Sequence, residues 1–402
     1  MAIRFEGHVQ TSRRDIFLLA CCQALLLTNA SGLISMNGLV GFSLAHNKSL
    51  ATFGATTYVL GSALAAMPMA LWMAKVGRRA GFMAGASINI VGCVVGALAL
   101  QWRSFPLFCV ATGIIGVYNA IGLQYRFAAA EVAAPADKAR AISLVLAGGV
   151  LGGVIGPEAA KWSRTLFATP FLGTLVALAG FAFLALLVQS RVNVPLPAHD
   201  EHKAAGARPL AEIAVQPVFI VAVVTAALSY GLMNLLMTAT PIAMSFCGHP
   251  FGAAATVIEW HVVGMFAPGL ATGSLIARFG ALKVISAGVL LMAAAIAVAL
   301  HGISVAHFVI GLALVGVGWN FMYTGGTTLL TESYRPSEKA RVQGVNDLVL
   351  FVTLAATSLT SGALVTRAGW DTANWAGVPV LAIIAIAVAA LAWQRRAIPA
   401  RA

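Results

Sequence analysis

The chain has 402 residues, 60% of them hydrophobic and 9% charged, with a mean hydropathy of +0.89 and a formal net charge of +12. Such a composition excludes an ordinary water-soluble globule, because repeated apolar runs of about 20 residues read as membrane-spanning helices. Nor does the positive charge point to nucleic acid: the basic residues sit in short clusters between apolar runs, without a basic stripe or aromatic platform.

In chain order, Arg4, Arg13 and Arg14 precede a first apolar run that contains Gln23, Asn29 and Asn37 and lacks a small-residue cleavage site, so it reads as a retained helix. Twelve spans are predicted, at 15–44, 50–74, 80–100, 104–131, 139–163, 168–190, 214–246, 251–277, 281–301, 303–332, 339–366 and 373–394. An even number puts both termini on one side. With that side taken as cytoplasmic, 19 Lys and Arg fall in the termini and even-numbered connections, five (Lys48, Arg103, Lys161, Arg164 and Arg367) fall in the odd-numbered ones, and Arg126 lies inside span four. This asymmetry predicts a multi-pass protein of the cell inner (cytoplasmic) membrane with both termini cytoplasmic. The polar stretch 189–217 separates spans six and seven, which divides the chain into an N-terminal half (1–189), a cytoplasmic linker (190–213) and a C-terminal half (214–402). Cys21, Cys22, Cys93, Cys109 and Cys247 lie in or beside apolar runs without paired ligand spacing and read as small packing residues, so neither metal nor cofactor is expected.

The halves repeat each other. At an offset of 201, Tyr118-Asn119 falls on Trp319-Asn320, Glu131 on Glu332, Pro135 on Pro336, and Asp137-Lys138-Ala139-Arg140 on Glu338-Lys339-Ala340-Arg341; at 203, Ala74-Lys75-Val76-Gly77 falls on Ala277-Arg278-Phe279-Gly280. The phrases "APADKARAIS" and "RPSEKARVQG" are thus the same turn, between the fourth and fifth helices of each half. Two parallel six-helix repeats related by an axis along the membrane normal are a transporter architecture, with the solute near the midplane between them.

The segment "ALWMAKVGRR" (70–79) keeps Gly77, Arg78 and Arg79 of the pattern Gly-x-x-x-Asp-Arg-x-Gly-Arg-Arg, with Ala70, Ala74 and Lys75 departing from it; "GSLIARFGAL" (273–282) keeps Gly273, Arg278 and Gly280, again with alanine, Ala277, in place of the acid. With the twelve-span, two-repeat layout, these segments make the chain resemble the major facilitator superfamily along nearly its whole length. The resemblance implies an all-α membrane fold of two pseudo-symmetric six-helix halves. It also implies a cytoplasmic gating network of Lys75, Arg78, Arg79, Glu131, Arg140, Arg278, Glu332 and Arg341, in which Glu131 pairs with Lys75 or Arg78 and Glu332 with Arg278. Helix five carries "GGVLGGVIGPEAAKW" (148–162), which looks like the glycine-rich motif of the family's drug–proton antiporters; Gly148, Gly152 and Gly156 at i, i+4 and i+8 equally make a smooth face for helix packing.

A charge in hydrocarbon is costly and usually faces a cavity or a partner. Arg126 either holds an anionic solute group or anchors a network at the helix end. Glu259, about 12 Å into span eight at 1.5 Å per residue, is the leading proton-coupling candidate. His261 lies about 200° further round that helix and reads as a packing histidine or a relay. Asp347, near the start of span eleven, is a third coupling candidate and a replacement for the acids missing from the loops. Gln23 and Asn37 on span one, Tyr230 and Asn234 on span seven, and the repeat-equivalent Asn119 and Asn320 outline a solute cavity, the two asparagines suiting structural hydrogen bonds equally well. Trp260, Trp319, Tyr118 and Tyr323 are able to stack on a flat solute.

No metal cluster, nucleophile elbow or phosphate loop is present, so an enzyme is not expected and any driving force is an ion gradient. The expected function is secondary transport of a small organic solute by alternating access, coupled to protons or another ion, by a monomer in the bilayer. The resemblance extends to compact bacterial riboflavin importers. Drug or metabolite efflux by proton antiport and a non-transporting receptor or scaffold are the alternatives.

Overall fold

Apolar runs this long become helices because a helix satisfies every backbone N–H and C=O internally, which hydrocarbon demands. The computed structural model describes residues 12–134, 137–194 and 208–397. The first half contains α1 (Arg13–Leu44), α2 (Phe53–Val76), α3 (Arg78–Gln101), α4 (Phe105–Gly122), α5 (Tyr125–Glu131), α6 (Lys138–Ser163) and α7 (Leu172–Gln189). A short α8 (Leu210–Ala214) follows, then α9 (Pro217–Phe246), α10 (Phe251–Phe266), α11 (Gly269–Phe279), α12 (Ala281–His301), α13 (Val305–Thr331), α14 (Lys339–Trp375) and α15 (Gly377–Ala397).

These helices make the twelve expected crossings, with three departures from the predicted spans. The fourth crossing is interrupted after Gly122, a poor helix former, so that α4 gives way to α5. The eighth breaks into α10 and α11 at Pro268, which has no N–H to continue the ladder. The eleventh runs two residues past its predicted end to a kink at Gly369 (φ 85°), beyond which a short separate helical stretch reaches Trp375. Of the predicted linker, residues 195–207 lie outside the described residues, and 210–214 are helical.

The first and last described residues and the connections α5–α6 and α13–α14 lie at one end of the bundle, the terminus end: the Ser12 N–H donates to the Val132 carbonyl, and Arg395 of α15 pairs with Glu332. The connections α1–α2, α6–α7, α9–α10 and α14–α15 make the far end. Packing follows the repeat. The first and fifth crossings of each half pair closely (α1 with α6, α9 with α14), as do the second and fourth (α2 with α4, α10 with α13) and the third and fourth (α3 with α4, α12 with α13). Across the halves, α2 meets α14 and α6 meets α10.

The equivalent pairs are glued differently. On α6, Cβ atoms added at Gly148, Gly152 and Gly156 would run into the Ala20, Ala24 and Thr28 carbonyl oxygens of α1, so the glycine face is a backbone-to-backbone packing surface. On α9, Asn234 Nδ2 donates to α14 at the Leu354 carbonyl (3.1 Å), Thr357 Oγ1 (3.1 Å) and Ser358 Oγ (2.8 Å), and Ser361 Oγ returns a bond to the Leu235 carbonyl (2.9 Å).

Candidate functional site

The repeat-equivalent pairs Tyr118-Asn119 and Trp319-Asn320 sit at matching depths and do different things. Asn119 Nδ2 donates to Ser62 Oγ of α2 (3.2 Å). Asn320 Nδ2 donates to the Met265 carbonyl (2.8 Å) and its Oδ1 accepts from Thr272 Oγ1 (2.6 Å), so it bridges the break between α10 and α11. Both asparagines therefore tie the fourth crossing of their half to the second. Tyr118 is buried in the first-half core, whereas Trp319 joins an aromatic cluster in the second half.

In that cluster Trp319 and Tyr323, one helical turn apart on α13, are stacked with centroids 5.1 Å apart and planes at 11°. Tyr230 of α9 closes on both, 5.0 Å from Trp319 and 5.3 Å from Tyr323. From the other half, Arg126 of α5 lies within electrostatic range of Tyr230, Tyr323 and Asp347, and Tyr58 of α2 within range of Tyr230. The Arg126 side chain lies over the Phe127 ring (4.9 Å), and its buried Nε has no hydrogen-bond partner; nor has Trp319 Nε1. A cation with spare donors beside stacked rings, contributed from both halves, is suited to a flat polar solute. Arg126 and Tyr230 were legible as candidates; Tyr58 was not, because its apolar span carries no polar repeat pointing to it.

The remaining candidates are dispersed. Gln23 is buried beside Gly149 of α6, Asn37 is pressed against Gly54 of α2 with its Oδ1 unpartnered, and Asn234 is committed to α14. His261 is fully buried and donates through Nδ1 to the Leu312 carbonyl of α13 (2.8 Å), which fits the packing reading; its Nε2 has no partner. Glu259 lies away from the aromatic cluster, half-buried on α10 within range of Glu158 and Lys161 of α6. Asp347 is exposed on α14, accepts from Asn346 Nδ2 (3.2 Å) and is in electrostatic range of Arg126 of the other half. Among the described residues, no three His, Cys, Asp or Glu come together as a metal-holding group.

At the terminus end, Arg78 grips Glu131 through Nη2 (2.7 Å) and Nε (3.1 Å), as expected, and adds Gln124 Oε1 (3.1 Å). Glu332 does not pair with Arg278. It accepts from Arg395 Nη2 (2.7 Å), because the end of α15 is its neighbour, and Arg278 lies over the Phe279 ring (5.2 Å). Lys75, Arg79 and Arg140 are exposed, and Arg341 donates to the Arg208 carbonyl. In the second copy of the repeated phrase, Glu338 is 1% exposed and clasps the linker: its carboxylate accepts from Arg208 Nη2 (2.7 Å), Nε (3.0 Å) and N (2.8 Å), and from the Arg335 N–H (2.9 Å). Those donors hold the Glu338 carboxyl well below the usual carboxylate range, Arg208 contributing most. In the first copy, Pro135 and Ala136 lie outside the described residues.

Hydrogen bonds and ring contacts that join the two halves gather at the far end. Thr52 bonds α14, Arg367 Nε donates to Ser49 Oγ (2.7 Å), Phe42 packs on Phe246 (5.3 Å), and Arg164 lies over both Phe171 and Phe251 (5.1 Å each).

The family profile described as Major Facilitator Superfamily matches residues 17–258 and 226–401. A riboflavin transporter, RfnT, of Brucella anthropi is 38% identical over 93% of this chain and 95% of its own length. An uncharacterised MFS-type transporter, YddS, of Bacillus subtilis is 28% identical over 92% and 88%. Among solved structures, a mutant form of the nucleoside transporter NupG superposes with a TM-score of 0.74 at 14% identity, over 94% of this chain and 99% of that one. A bacterial homologue of the lysosomal transporter Spinster, inward-facing and occupied, superposes with a TM-score of 0.68 at 15% identity, over 93% and 94%.

Proposed function

This chain belongs to the Major Facilitator Superfamily and is a secondary transporter of a small solute; we propose that it imports a flat, riboflavin-like molecule across the inner membrane, driven by protons. The observation that carries this reading is the stacked Trp319–Tyr323 pair, closed by Tyr230 and faced by Arg126 from the other half. A tricyclic ring stacks on such a surface, its polar edge takes the free Arg126 donor, and contact with both halves lets one bound molecule bias their rocking. The relative that transports riboflavin supports the solute class.

The charge asymmetry of the connections supports a cytoplasmic terminus end, and the reading keeps the division into halves at 189 and 214 and a monomer as the working unit. With that orientation, the contacts between the halves at the far end support an inward-facing state. Of the coupling candidates, Asp347 is the best placed, since a carboxyl facing Arg126 exchanges that partner for a proton as solute arrives; Glu259 in the α6–α10 seam is second. Efflux loses its motif-based support, because the glycine face of α6 is occupied by α1.

The test is riboflavin itself, whose fluorescence is quenched on stacking. Purified protein should quench it, Trp319→Ala should weaken binding roughly tenfold, about 1.4 kcal/mol and within the range of ring stacking, and Arg126→Gln should cut uptake into proteoliposomes. Absence of both quenching and uptake overturns the assignment.

A further inference from the structure

Thr52 is placed as the N-cap of α2, a position where a threonine hydroxyl ordinarily accepts from the first free N–H groups of its own helix. It makes no such bond. Fully buried at the far end, its hydroxyl donates instead to the Ser358 carbonyl of α14 (2.6 Å) and accepts from the Gly362 N–H (2.9 Å). Residues 358 and 362 are i and i+4, so these two groups are each other's partners in the ladder of α14. The hydroxyl of one half therefore stands within a backbone hydrogen bond of the other, an arrangement known to open and bend helices.

The approach is built into the neighbours. A Cβ at Gly362 would come within 2.6 Å of Thr52 Oγ1 and 3.1 Å of Thr52 N, so only glycine admits the side chain. A Cβ at Gly41 would run into the Ala51 carbonyl, so that glycine lets the residue before Thr52 lie flat on α1. Ser49 and Arg367 bond beside it.

We propose that Thr52 is a latch on the far-end gate: its hydroxyl completes the α14 ladder when the far end is closed and is released to water when it is open. When α2 and α14 part, the Gly362 N–H closes directly on the Ser358 carbonyl, and the Thr52 hydroxyl is solvated in the opened mouth. The hydroxyl, the carbonyl and the N–H each have a partner in both states. The gate therefore opens without stranding a buried donor or acceptor, and a latch worth about one net hydrogen bond, about 1 kcal/mol, shifts the two states by roughly fivefold without locking either. The latch works alike whichever solute is carried.

The test uses spin labels at His46 and Asp371, exposed on opposite sides of the far-end mouth, in a chain lacking the five native cysteines. Without solute the wild type should show mainly the short distance. Thr52→Val, which keeps the shape and loses the hydroxyl, should raise the long-distance to short-distance ratio about fivefold, and Thr52→Ser should restore the wild-type distribution. Gly362→Ala, which expels the hydroxyl from the opposite side, should match the valine variant and stands in for it if valine prevents folding. An unchanged distribution in Thr52→Val or Gly362→Ala overturns the latch, and so does an equal shift in Thr52→Ser, which would credit the methyl group.

Discussion

Replacing Asn320 with leucine tests whether the repeat-equivalent asparagines hold helices or solute. The amide gives one undivided bond to the Met265 carbonyl and shares the Thr272 hydroxyl, which also donates to the Pro268 carbonyl (2.8 Å). Side-chain hydrogen bonds within membranes average about 0.6 kcal/mol and reach about 1.7. The Met265 carbonyl also lies at the break before Pro268, so losing Asn320 removes its donor and adds a penalty of about 1–3 kcal/mol. The total is about 2–4 kcal/mol. Asn119 makes one longer bond to a serine that keeps its own bond to the Gly116 carbonyl, so Asn119→Leu should cost only about 0.6 kcal/mol. Thermal unfolding of the detergent-solubilised protein should show a drop of several degrees for Asn320→Leu and almost none for Asn119→Leu. An unshifted midpoint in Asn320→Leu, with solute binding lost, would mean that the amide is a ligand contact.

Gly152→Ala should destabilise by about 1–3 kcal/mol, because its Cβ meets α1 backbone that cannot yield, whereas Gly149→Ala, whose Cβ finds Leu27 Cγ at 3.4 Å, should be tolerated; equal melting points would refute the packing role of that face. For Glu338, a carboxyl held low contributes its clasp at any pH above its ordinary value of 4.5 and loses it only as pH falls well below that value. A nitroxide at Ala211 should thus be immobile at pH 7 and pH 5 in the wild type and mobile at pH 7 in Glu338→Gln; a wild-type transition centred near 4.5 would contradict the pairing. For coupling, Asp347→Asn should abolish gradient-driven accumulation while solute exchange persists, and Glu259→Gln should retain accumulation; the reverse outcome moves the proton site to the α6–α10 seam.

The twelve crossings were legible because hydrocarbon thickness sets their length, and the two halves because the charged phrase at 134–143 recurs at 335–344. The family resemblance implied that Glu131 pairs with Lys75 or Arg78, and the partner is Arg78. Partners that depend on azimuth were not legible. Spacing puts Glu332 at the right end but does not say that α15, and not α11, stands beside it. Helical periodicity likewise groups Tyr230, Asn234 and Thr238 on one face, yet Tyr230 turns to the aromatic cluster and Asn234 to α14. Nor did residue spacing along span eight say that Glu259 lies in range of Glu158 and Lys161 of α6.

The difference in glue between α1–α6 and α9–α14 has a consequence for how the chain is made. The first pair is packed on backbone and glycine, and Ser31 Oγ, which bonds the Gly152 carbonyl of α6 (3.0 Å), already has the Leu27 carbonyl of its own helix (2.7 Å), so that hydroxyl is satisfied before α6 arrives. The Asn234 amide is different, because its described acceptors all lie on α14, at least 120 residues downstream. At a synthesis rate of about 5–20 residues per second, α9 spends roughly 6–24 seconds in or beside hydrocarbon before that partner exists. On α14, Thr353, Thr357 and Thr360 arrive already bonded to carbonyls of their own helix. The Asn234 amide therefore passes through the stage between the two helices without the acceptors it holds in the finished bundle.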